Sequence, residues 1–255
     1  MPWESLLVVM MGSLRAMGVV MALPSLGGRP LPPMIRVALA MMLGGLLTSV
    51  APVGAGSTFN PDSLGALGFA ALHELLLGLA MGLVMRAVLT AAELAGRLIA
   101  AEVGLVAAPG FDAPVFSQEP LPAFMGVFGG MMFFMLHAHE GVLAAFARSF
   151  VLAPPGMGTL SAGATETLVG AVSDLLELAL RMAAPFIALN FVITMGFAVL
   201  GRAVPKMNVF ILSYALRSLL GFTLLAGAGA LFARYLATAF ERLPWTILEL
   251  VGRNG

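Results

Sequence analysis

Apolar blocks alternate with proline- and glycine-rich breaks along this chain, and six such blocks can be traced. Each reaches or exceeds the roughly 20 residues that cross a bilayer as a helix. Block one runs over Ser5–Leu23 and carries Arg15 at its centre. A charge at mid-membrane depth is costly, so Arg15 is expected to face protein or water. The break Pro24–Pro33 cannot be helical. Block two follows at Met34–Val53, with Arg36 at its start, on the unfavourable end of a helix dipole. Arg36 should therefore meet a carboxylate or a lipid headgroup. After the second break, Pro52–Ser63, the run Asn60, Pro61, Asp62, Ser63 reads as a helix start.

Block three, Leu64–Ala108, has no proline and is about twice the length of one span. It also contains His73, Glu74, Arg86, Glu93, Arg97 and Glu102. These features predict either two helices or one long helix that extends beyond lipid. Gly78 and Gly82 form a small-xxx-small pair that admits a neighbouring backbone. Glu93 and Arg97 are spaced for a helical ion pair.

The stretch Gly104–Pro122, GLVAAPGFDAPVFSQEPLP, is the longest irregular break. Its prolines stop any helix from running through it. Loops of this length are usually functional or disordered, and its phenylalanines argue against plain disorder. Block four, Leu121–Phe150, is read as one helix containing His137-x-His139-Glu140. The break Ala153–Thr165 leads to block five, Glu166–Leu200. There Asp174, Glu177 and Arg181 place a charged stripe on one face. Pro185 is expected to kink this helix, and Asn190 is a lone amide in an apolar run. Gly201–Asn208 connects to block six, Val209–Leu236, and a short mixed tail, Glu241–Gly255, closes the chain.

Composition narrows the class. The chain is 60% hydrophobic and only 10% charged, with a mean hydropathy of +1.01. Ordinary soluble domains hold about 25% charged residues, so the pattern is that of an all-α, multi-helix, membrane-associated protein. Thirteen basic and thirteen acidic residues give no net charge, and nucleic acid is not expected as a partner. There is no cysteine for disulfides, thiolate metal sites or cysteine catalysis. Block one lacks a basic leader and a small-x-small cleavage site, and is read as a retained helix rather than a signal peptide. Arg29 and Arg36 after block one, no basic residue in Pro52–Ser63, and Arg202 and Lys206 before block six fit an N-out start.

Catalytic chemistry finds little support. Histidines two apart do not share a helix face, so HAHE is expected to hold no metal. Nucleophile-elbow, HExxH and phosphate-loop motifs are missing, and the chain is expected not to be an enzyme and to need no cofactor. Arg15, Glu74, Arg86, Glu93, Glu102 and Arg181 remain as intramembrane ionisable groups. Their near-equal signs favour interhelical pairing or contacts to other subunits. The alternative is a secondary transporter that uses them as an ion or proton path, for which an internal repeat would be usual. Eighteen methionines and thirty glycines suit adaptable surfaces and close helix packing.

Three stretches together resemble one family. They are LPSLGGRPLPPMIRVALAMMLG (Leu23–Gly44), ELAGRLIAAEVGLVAAPGFDAP (Glu93–Pro114) and LGRAVPKMNVFILSYALRSLLG (Leu200–Gly221). They are similar to the FliR/SctT family of export-gate proteins of flagellar and virulence type III secretion. The wording R-x-x-P-K-M-N-V-F favours the FliR side. The chain departs from the family at Asp112-Ala113-Pro114, where Asp-Pro is common, and at Tyr214-Ala215-Leu216, where a proline is common.

The resemblance implies a gate subunit in the bacterial inner membrane, at the flagellar basal body or the base of a secretion system. It implies partners: FliP-like and FliQ-like subunits, a FlhB/SctU-like switch protein, unfolded secretion substrates and membrane lipid. It implies a FliP-like part over 1–152, then a FliQ-like helical hairpin and C-terminal tail over 153–255. The loop 104–122 would be the closed-state plug, through Gly104, Pro109, Gly110, Phe111, Asp112, Pro114 and Phe116. Arg36, Glu74, Arg86, Glu93, Arg97, Arg202, Pro205, Asn208, Phe210 and Arg217 would serve as subunit contacts or structural charges.

Overall fold

A computed structural model describes residues 2–22, 32–50, 63–105, 120–204 and 208–251. Within these residues the chain forms eight helices, and no strands pair beyond one isolated bridge. They are α1 (Pro2–Ala22), α2 (Pro33–Val50), α3 (Leu64–Val103), α4 (Pro120–Met135), α5 (Ala138–Leu152), α6 (Ala164–Ala203), α7 (Val209–Gly227) and α8 (Gly229–Glu249). The chain divides into two compact units, residues 1–88, 133–174 and 239–255 in one, and 89–132 with 175–238 in the other.

Block three resolves to a single helix. α3 has 40 residues, about 60 Å at 1.5 Å per residue, twice a hydrocarbon core. Blocks four and six differ from the expectation of one helix each. The former breaks at His137, which lies in the left-handed region (φ 55°, ψ 21°), and α4 and α5 meet at 68°. The latter ends at Gly227, and α8 starts at Gly229 and runs through the stretch read as a mixed tail. The reason is a continuous apolar stripe: Phe232, Leu236, Phe240, Leu243, Ile247 and Leu250 are all buried at three- and four-residue steps. Block five is one uninterrupted helix across Pro185.

In the first unit, small residues let backbones touch. A Cβ on Gly44 of α2 would lie 2.5 Å from the backbone of Ser13 in α1. A Cβ on Gly78 of α3 would lie 1.9 Å from the carbonyl oxygen of Arg15, and one on Gly18 of α1 would lie 2.4 Å from Leu79 N. The expected close approach at Gly78 is therefore made by α1. Because the obstacle is backbone, no rotamer change relieves it. Gly78→Ala should cost at least the 1–3 kcal/mol typical of overpacking. Gly68→Ala, where nothing lies within 4 Å, should instead gain up to about 1 kcal/mol of helix propensity. Thermal unfolding of the two variants in detergent checks this. Equal midpoints would contradict the α1–α3 crossing.

In the second unit the C-terminal part of α3, most of α4 and α6, all of α7 and the start of α8 pack together. Gly96 lies against the backbone of Leu121 and Pro122, Gly221 of α7 against Val103, and Phe186 of α6 stacks with Phe232.

Among the described residues, three helices are long and apolar enough to cross a membrane: α3, α6 and α7. The bent pair α4–α5 adds a fourth if it counts as one span. Their burial within the chain differs sharply, at 61% of the α3 span, 17% of α6 and 11% of α7.

Candidate functional site

The first unit is built around a buried charge. Arg15 and Glu74 are fully inaccessible, and Arg15 Nε donates to Glu74 Oε2 at 2.6 Å. Arg15 Nη2 donates to Glu74 Oε1 at 2.9 Å, which makes the pair bidentate. The same Nη2 donates to the Ala153 carbonyl at 2.9 Å, and Nη1 donates to Ser149 Oγ at 3.1 Å. The guanidinium carbon sits 4.4 Å from the centroid of Phe150.

The carboxylate is equally well served. Oε1 accepts from the backbone N–H groups of Gly156, at 2.8 Å, and Gly158, at 3.1 Å. These two inward amides, on either side of Met157, make a small anion cradle. Gly156 is at φ +86°, where side chains are disfavoured. A Cβ on Gly158 would fall 2.7 Å from both Arg15 Nη2 and Glu74 Oε1. The loop between α5 and α6, read from sequence only as a break, is thus shaped to close over the pair. The expectation that Arg15 faces protein is met, and so is pairing for Glu74.

Other predicted residues have different places. Arg36 is half-buried in the first turn of α2, Arg86 and Arg97 are exposed, and Glu93 is half-buried against Gly126. No ion pair joins Glu93 to Arg97 among the described residues, contrary to the spacing argument. The side chains diverge, with the Glu93 carboxylate turned towards α4 and Arg97 outward. Arg181 and Glu177 do pair, both more than half exposed, so this i,i+4 bridge contributes little. Arg202 lies exposed in the last turn of α6, the end of the dipole that suits a cation. Asn208 caps α7 by accepting from Ile211 N at 3.3 Å. Phe210 is 65% exposed. Pro205, and Pro109, Gly110, Phe111, Asp112, Pro114 and Phe116 of the predicted plug, lie outside the described residues.

The root of the predicted plug is described. Gly104 follows α3 with φ +83°, and Tyr214 OH of α7 donates to its carbonyl oxygen. Ser218 Oγ, one turn further along α7, donates to Val103 O at 3.1 Å. Beside them Asn190 Nδ2 donates to Glu102, and Arg217 Nη2 donates to Thr194 Oγ1 at 3.0 Å. Ser218 satisfies the Val103 carbonyl, one of the last carbonyls of α3 that no intrahelical donor reaches. Of this cluster, Asn190 and Glu102 stood out in the sequence as polar groups in apolar runs. Their partnership did not, because they are 88 residues apart.

The HAHE motif behaves differently from a helical one. Because His137 sits in the break, the rings of His137 and His139 stack 6.1 Å apart at 23°. Among the described residues no group of three or more His, Asp or Glu side chains is placed to hold a metal ion.

Comparison with known proteins yields one consistent family. The model described as bacterial export proteins, family 1, matches residues 6–243. A flagellar biosynthetic protein FliR of Caulobacter vibrioides is 27% identical over 213 residues, covering 83% of this chain and 84% of the relative. The FliR protein of Escherichia coli K12 is 24% identical over 239 residues, covering 93% and 90%. That of Aquifex aeolicus is 25% identical over 222 residues, covering 87% and 85%.

Proposed function

Because this chain belongs to the bacterial export proteins, family 1, we propose that it is a subunit of the export gate that serves flagellum assembly. It would form, with FliP-like and FliQ-like partners, the entry pore for unfolded export substrates. A FlhB/SctU-like switch protein would dock on the same assembly in the inner membrane at the basal body. Residues 1–152 would play the FliP-like part and residues 153–255 the FliQ-like hairpin and tail. No catalytic group is assigned, since the work of a gate is to bind, exclude and yield.

The observation that carries the assembly reading is the exposure of α6 and α7. Their spans are 17% and 11% buried, and Phe191, Val192, Val199, Phe210, Ile211 and Leu219 are each at least 60% exposed. Lipid alone would accept such apolar faces. Asp174, Glu177 and Arg181 on one side and Arg202 on the other bracket the charge-free residues 182–201 of α6, so these exposed charges meet water or protein beyond the lipid. A helix with both features suits contact with sister subunits and water.

Loop 104–122 is proposed as the plug of the closed pore. Gly104 is anchored by Tyr214 at its root, and Phe111 and Phe116 supply bulk to fill a narrow channel. A transporter that uses intramembrane charges is the less favoured reading. Its most deeply buried carboxylate, Glu74, already has its oxygens occupied by Arg15, Gly156 and Gly158. Purification in mild detergent with subunit identification tests the proposal.

A further inference from the structure

The last turn of α5 shows two faces. Ser149 and Phe150 turn to Arg15, while Arg148, Val151 and Leu152 line a groove against the end of α8. Trp245, Leu248, Glu249 and Val251 form the opposite wall. The groove encloses about 620 Å³, within the range of small-molecule sites. Its walls are fixed. Ser161 N donates to Leu250 O at 2.9 Å, Ser161 Oγ donates to Glu249 O at 2.8 Å, and Leu160 bridges Val251. The α5 wall is fixed by the Arg15 cluster behind it.

Two charges of opposite sign line this groove without meeting. Among the described residues neither Arg148 nor Glu249 has an ion-pair partner for its side chain, although the two share one pocket. The rest of the lining is apolar, and Trp245 is 66% exposed. An exposed tryptophan has an apolar ring and a polar N–H, which suits contact with both an acyl chain and a headgroup.

We infer that this groove binds a phospholipid with a zwitterionic phosphate–ammonium headgroup, of the phosphatidylethanolamine class. The phosphate is held by Arg148 and the ammonium by Glu249. An acyl chain lies along Val151, Leu152 and Leu248. Arginine suits a phosphate oxygen through its planar fork of donors. Glu249 beside it disfavours a purely anionic headgroup, which sets the selectivity. This inference does not depend on the gate reading.

The test uses the full chain with Trp3→Phe, which leaves Trp245 as its single tryptophan. Lipids with brominated chains are added in detergent, and quenching of Trp245 is followed. Brominated phosphatidylethanolamine should quench at about fivefold lower mole fraction than brominated phosphatidylglycerol, the factor an exposed ion pair can provide. Glu249→Gln should abolish that preference, and Arg148→Ala should weaken quenching by both lipids. Both side chains are exposed, so neither variant should change the thermal midpoint. Equal quenching by the two lipids, or indifference to both substitutions, would overturn the inference. So would loss of quenching by both lipids once the chain is purified with its partners, which would assign the groove to a protein.

Discussion

Glu74→Ala is expected to abolish accumulation of folded protein. The substitution leaves the Arg15 guanidinium buried, fully inaccessible and without its counter-ion. Breaking a buried pair in this way costs about 3–5 kcal/mol, a large share of the 5–15 kcal/mol that holds a typical fold. It also strips the acceptor from the part-buried N–H of Gly156 and the buried N–H of Gly158, at about 1–3 kcal/mol for the buried donor left unsatisfied. Salt should not rescue the variant, because the site excludes solvent.

Two further variants separate this cluster from a simple ion pair. Exchanging the charges, Arg15→Glu with Glu74→Arg, would restore a simple pair. Here it should fail, because the glycine amides require an anion at 74 and Ala153 O requires a donor at 15. Replacing both residues with apolar ones, Arg15→Met with Glu74→Leu, should recover part of the loss but not all. The pair desolvation is relieved, yet the two amides and the Ala153 carbonyl stay unpaired. Membrane levels and thermal midpoints of the purified variants check the series. Full rescue by the exchange would show that only the charge pairing matters.

Deletion of Phe111–Gln118 should let ions leak through an assembled gate. A plug must close a pore yet yield to a polypeptide, so its closed state can be favoured by only a few kcal/mol. The open state of such an equilibrium is about 0.1–10% populated, and removing the plug should raise it about 10- to 1,000-fold. Conductance of the reconstituted assembly measures this. Unchanged permeability, with the assembly intact, would remove the plug from the account.

The sequence announces some of these features and hides others for physical reasons. Arg15 and Glu74 were visible because charge is rare in apolar blocks. Their pairing was suggested by the balance of signs, but a partner 59 residues away leaves no local trace. The glycines at 156 and 158 read as a loop, since a backbone amide aimed at a carboxylate has no sequence signature of its own. The bend at His137 was missed because no proline or glycine lies between Met135 and Ala138; an αL histidine is set by tertiary packing. The course of α8 was legible in principle. Leu243 and Ile247 continue the buried stripe of Phe232 and Leu236, but Glu241, Arg242 and Pro244 masked it. Glu93 and Arg97 show the converse: correct spacing gives only the opportunity to pair, and Gly126 opens room for Glu93 to turn to α4 instead.

The exposed apolar faces of α6 and α7 bear most on the central claim, that this chain works as one subunit of a pore. Affinity purification of the tagged chain in mild detergent, with identification of every retained subunit, tests that claim most directly. The account predicts recovery of several FliP-like and FliQ-like chains with each copy of this one. A lone monomer or a homodimer, with α6 and α7 covered by detergent alone, would contradict it.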